Sequence, residues 1–128
     1  MRKIVVSIGN GLLAEAITRA LSDSGEFQPF RVMVGKSGGM VSDCEMLSAE
    51  MLLAEVSYAA GTTVETRLSE AREIREKLPG CKVVFLCDEN SAPDIARDVM
   101  QAKKDGLIDN FFYSSVTEKY LMAALVSL

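Results

Sequence analysis

The 128-residue sequence contains no histidine. That absence excludes a Ser-His-Asp triad, a Cys-His dyad, a His-ligated metal and a phosphohistidine step within the chain. Any catalysis would rest on carboxylates, Lys, Tyr, Ser or Cys. Cysteine is scarce. Cys44, Cys81 and Cys87 form no CxxC pair and are odd in number, the pattern of reduced thiols in the cytoplasm. Long apolar runs are missing too, and nothing approaches the ~20 residues of a membrane span. The basic-apolar start, residues 1–6, is too short for a signal peptide and is broken at Gly9-Asn10. Basic charge is in deficit, with a net charge of -4. This opposes a domain built to grip nucleic-acid phosphates. Neither membrane nor direct nucleic-acid binding is expected.

What is present suits one domain. Apolar residues make up 48% and charged residues 25%, enough for a sheet covered by helices. Residues 4–8 form a short β-branched run, as in a strand buried on both faces. Gly9-Asn10-Gly11 turns the chain. Leu12, Leu13, Ala16, Ile17, Ala20 and Leu21 then repeat at helical spacing up to Gly25. Residues 30–34 read as a second strand, followed by a loop from Gly35 to Gly39 that holds Lys36 and Ser37. A short helix is expected over residues 41–49 and a third strand over 51–56, with Glu55 near its carboxyl end. Leu68, Ala71, Ile74 and Leu78 mark a helix ended by Pro79-Gly80. Its charges Glu70, Arg72, Glu73 and Lys77 read as a solvated face, with Glu73 and Lys77 paired four apart. The fourth strand is placed at Lys82–Cys87. Ser91 is expected to cap a helix built on Ile95, Val99 and Ala102. A fifth strand over residues 108–113 and a capping box at Ser115-Val116-Thr117-Glu118 lead into the last helix.

Five alternations of strand and helix imply an α/β fold, a doubly wound five-stranded parallel sheet with helices on both faces. In such sheets function gathers at the carboxyl ends of the strands. Those ends are Gly9/Asn10, Gly35, Glu55, Cys87 and Tyr113/Ser114.

Three stretches carry a family resemblance: Glu50-Met51-Leu52-Leu53-Ala54-Glu55-Val56, Val83-Val84-Phe85-Leu86-Cys87, and Gly106 through Tyr113 with the following helix. They resemble the third strand, fourth strand and final strand-helix unit of response-regulator receiver domains, and the likeness runs through the whole chain. It implies a flavodoxin-like (β-α)5 domain over residues 1–128, the N-terminal part of a longer regulator, acting in two-component signalling and not as an enzyme. It also implies a sensor kinase or output domain as partner and a homodimer face within residues 111–128.

Receiver chemistry requires an acid pair for Mg²⁺, an acceptor aspartate, a hydroxyl and a lysine, because phosphoryl transfer to a carboxylate brings anions together. Here the acid-pair positions hold Ile8, Gly9 and Asn10. The acceptor position holds Glu55, the hydroxyl position Cys87, and the lysine position falls on Tyr113 or Ser114. Phe111 or Tyr113 takes the place of the family's switch aromatic, and Phe111, Phe112 and Tyr113 also read as core. The expectation is a pseudo-receiver, with weak or no Mg²⁺ binding and no other cofactor. Glu55 either mimics a phosphoaspartate in part or accepts hydrogen bonds from loop amides. Its single charge falls short of the roughly -1.5 to -2 of a phosphoryl group. Cys87 reads as a small core residue, since Asp88 and Glu89 oppose a reactive thiolate.

One alternative rests on Gly9-x-Gly11-x-x-Ala14, which follows a strand and opens a helix as in dinucleotide-binding folds. Lys36-Ser37 would then meet a 2′-phosphate.

Overall fold

A computed structural model describes residues 1–34, 39–90 and 92–128. The elements are β1 (Arg2–Ser7), α1 (Gly11–Asp23), β2 (Phe27–Arg31), α2 (Gly39–Leu47), β3 (Met51–Glu55), α3 (Val64–Lys77), β4 (Lys82–Cys87), α4 (Pro93–Lys104), β5 (Asn110–Tyr113) and α5 (Glu118–Val126). All five strands are parallel and lie in the order β2-β1-β3-β4-β5. This is the doubly wound flavodoxin-like order, whose switch point lies between β1 and β3.

Alternation along the strands builds two cores. Val5, Leu52, Ala54, Val83, Phe85 and Cys87 point to the face covered by α2, α3 and α4. Ile4, Val6, Met51, Leu53, Val84, Leu86 and Phe112 point to the face covered by α1 and α5. Central strands buried on both sides need such continuous apolar runs. The expected architecture is therefore observed, with β4 at its expected bounds.

Several local expectations are corrected. β2 lies three residues earlier than residues 30–34 and contains Pro29. A proline is tolerated there because β2 is an edge strand. β3 ends at Glu55, so Val56 is outside it, and β5 begins only at Asn110. Ser115 does not cap α5. Thr117 does, accepting from the Tyr120 amide, while the Ser115 hydroxyl donates to Glu89 Oε1 at 2.7 Å. Lys77 pairs with Glu45 of α2 at 3.3 Å, not with Glu73. Glu70 leaves the solvated face to pair with Arg67. Gly35, Lys36, Ser37 and the capping Ser91 lie outside the described residues; Ala92 directly precedes α4 and makes no side-chain cap. Among the described residues, no helix is long and apolar enough to cross a membrane.

Candidate functional site at the carboxyl ends of the strands

Strand ends β1, β3, β4 and β5 open onto one cleft of about 260 Å³. Its walls include Asn10, Glu55, Cys87 and Ser114, four of the residues singled out in the sequence. Ser57, Tyr58, Asp88 and Ala92 complete the rim. Ile8 and Gly9 face a neighbouring depression with residues 31–34 instead. Ser114 rather than Tyr113 meets the cleft. Tyr113 and Phe111 pack against the α2-α3-α4 core, edge to face with ring centroids 5.6 Å apart.

Glu55 is half-buried at the end of β3, and its Oε1 accepts a hydrogen bond from the Gly9 amide at 2.8 Å. Gly9 suits that approach, because a Cβ there would lie 3.3 Å from the same oxygen. Asn10 is occupied as the cap of α1, its Oδ1 accepting from the Leu13 amide at 3.1 Å. Ile8 is buried in the α1-α5 core. So the first-strand end supplies no free carboxylate, and the one acid on β3 is turned toward backbone.

Beneath this arrangement lies a residue that the sequence reading missed. Arg67 of α3 is 2% exposed. Its Nε donates to the Glu55 carbonyl at 2.8 Å, and its Nη2 to the Ser7 carbonyl and hydroxyl at 2.9 and 3.0 Å. Its Nη1 donates to Glu70 Oε1 at 3.1 Å. A signal was present: Arg67 shares helical spacing with Ala71 and Ile74, the buried stripe of α3. Burial pushes the Glu70 carboxyl above its usual range, and Arg67 opposes that rise.

The outer rim is tied by side chains. Tyr58 donates to Asp94 of α4, which holds the Asp94 carboxyl below its ordinary range. The Ser57 and Thr62 hydroxyls share a hydrogen bond of 2.6 Å. Burial, then Glu89 and Asp88, push the Cys87 thiol up to about 11, so it is a packed thiol and a poor nucleophile.

A divalent cation of the kind receiver sites hold does not fit these residues. Hard cations take several oxygen ligands, usually with more than one carboxylate. Here Ile8 and Gly9 offer none, Asn10 is a cap, and Glu55 is bonded to Gly9. Among the described residues, no three His, Cys, Asp or Glu side chains stand together as a metal site requires. The dinucleotide alternative gains no support either. At the start of α1, Glu55 and Asn10 already hold the Gly9 and Leu13 amides, and the Glu55 carboxylate would repel a phosphate.

The fold is that of a response-regulator receiver domain. The chain is similar to a DNA-binding response regulator of the LuxR family from Staphylococcus aureus, with 14% identity and a TM-score of 0.76 over 99% of this chain and 98% of that one. The signal receiver domain of the response regulator NarL from Mycobacterium tuberculosis matches at 18% identity and 0.74, over 98% and 94% of the two chains. A member of a family of streptococcal redox sensors evolved from two-component response regulators matches at 13% and 0.76, over 99% of this chain and 50% of that one. Comparison with protein-family models and with curated proteins gives no match.

Proposed function

We propose that this chain is a receiver-like signalling domain of a cytoplasmic response regulator that works through protein–protein contact without Mg²⁺-dependent phosphorylation. The observation that carries the reading is the Glu55–Gly9 hydrogen bond. It occupies one oxygen of the acceptor-position carboxylate, where Ile8, Gly9 and Asn10 offer no second acid and Ser114 no lysine. The same bond favours Glu55 as a loop anchor over Glu55 as a phosphoaspartate mimic. A mimic would reach toward Cys87 and Ser114 across the cleft, and neither supplies a positive charge.

For the partner surface we propose residues 111–128. After Lys119 this segment carries no charged side chain, yet α5 leaves Tyr120 64% exposed and Val126 partly so. Apolar side chains left outside on a helix that is uncharged beyond Lys119 suit a homodimer or an output domain.

Acetyl phosphate with Mg²⁺, followed by intact-mass measurement, tests the chemistry. No covalent phosphoryl adduct is expected. A stoichiometric, Mg²⁺-dependent adduct that disappears in Glu55→Ala would overturn the reading.

A further inference from the structure

We propose that Arg67 is a positioning residue that locks the carboxyl ends of β1 and β3 together and thereby keeps the Glu55 carboxylate on the Gly9 amide. The guanidinium has four acceptors, spread over two strands and its own helix. Ser7 pairs with Ala54 across the β1–β3 ladder, one residue before Glu55, so Arg67 closes the ladder where regular pairing stops. The carbonyls of Ser7 and Glu55 would otherwise need other donors, since buried backbone groups are rarely left unpaired. Arginine suits the task. Its planar fork reaches several acceptors at once, and it stays charged where a lysine would tend to lose its proton.

The consequence for the cleft follows from chain connectivity. Glu55 is anchored at its own carbonyl, which fixes the origin of its side chain. Gly9 is two residues beyond the anchored Ser7. Both partners of the Glu55–Gly9 bond are therefore held close to an Arg67 contact. A switching domain needs two arrangements of comparable free energy. Four bonds from a buried charge weight one arrangement heavily, so the β1–β3 half of the cleft keeps a single shape. This deepens the signalling reading and rests on it only for what the lock prevents.

Amide hydrogen exchange on the full chain tests the lock, with Gly9 compared with Val83, whose amide is held by Asp109 at the opposite end of the sheet. Arg67→Met is expected to speed exchange at Gly9 roughly tenfold more than at Val83, about what losing one charged hydrogen bond does to local opening. Equal acceleration at the two amides would mean a general loss of stability and would overturn the proposal. No acceleration at either would overturn it too. If Arg67→Met does not fold, Ser7→Ala and Glu70→Ala each remove one acceptor. Each is then expected to favour Gly9 by roughly threefold, and a ratio of one in both overturns the proposal. Phosphoryl labelling of the unmodified chain would undo the signalling reading and leave this ratio unchanged, so the two failures are distinguishable.

Discussion

The two halves of the cleft are built differently. On the β1–β3 side, Arg67, Ser7, Glu55 and Gly9 form one connected set of hydrogen bonds with a buried charge at its centre. On the β4–β5 side, Cys87 lines the cleft, the Ser114 amide donates to the Cys87 carbonyl at 2.8 Å, and the Ser115 hydroxyl donates to Glu89. Glu89 Oε2 there is buried without a hydrogen-bond partner among the described residues. On the proposed reading, the positions that would gather a receiver's metal and acceptor are taken up by internal contacts. On the same reading, the positions of its hydroxyl and lysine hold Cys87 and Ser114, uncharged residues that line the cleft. On the proposed reading, the loss of receiver chemistry takes two forms, closure on one side and omission on the other.

The largest expected effect comes from breaking the closed half at its centre. Arg67→Ala strands the Ser7 and Glu55 carbonyls and leaves Glu70 without its partner. Removing one member of a buried pair typically costs about 3–5 kcal/mol. Urea denaturation should show a loss of this size, against a far smaller one for Arg19→Ala, whose pair with Glu15 is exposed.

A smaller effect is expected from Glu55→Ala, which leaves the Gly9 amide without its acceptor. A lost hydrogen bond to a charged group is worth about 1.5–3 kcal/mol, and half-exposure places this one at the low end. Glu55→Gln keeps an acceptor and should recover much of it. If both variants denature at the wild-type urea concentration, the Glu55–Gly9 contact does not stabilise the closed half.

The smallest effects are those of pH, and they separate the halves. The Glu70 carboxyl is raised by burial, so the folded state holds its proton to higher pH than the unfolded chain does. Its contribution is complete below the ordinary glutamate range and is lost as pH rises through the raised value. Glu70→Gln should flatten that acidic slope. On the other side, Cys87 is raised from 9.0 to about 11, so stability should fall as pH climbs between those values. Cys87→Ala should remove its share of the alkaline slope and leave the acidic one intact. Cys44 and Cys81, raised by burial to about 12 and about 11, keep theirs. Denaturation midpoints across pH measure both slopes.

Much of the fold was legible because buried parallel strands announce themselves as apolar runs. Lys82–Cys87 was read at its true bounds for that reason. β2 was misplaced because Pro29 breaks the run, and only its edge position makes the proline harmless. The sequence singled out Ile8, Gly9, Glu55 and Cys87 one by one, at or next to the strand ends. Which of them touch was not. The choice between Tyr113 and Ser114 needed the pleat of β5. The Glu55–Gly9 bond needed the exact approach of two strand ends. Arg67 was hidden because a charge on an apolar stripe is ordinarily discounted, and its acceptors are backbone carbonyls that no side-chain pattern reveals.

The central claim is that the acceptor-position carboxylate is held on the Gly9 amide and takes no phosphoryl group. A titration with beryllofluoride and Mg²⁺, followed at the amides of Gly9, Glu55, Cys87 and Ser114 by NMR, tests it most directly. No saturable, Mg²⁺-dependent shift is expected at these four amides. Saturable shifts that require Mg²⁺ and vanish in Glu55→Ala would contradict it.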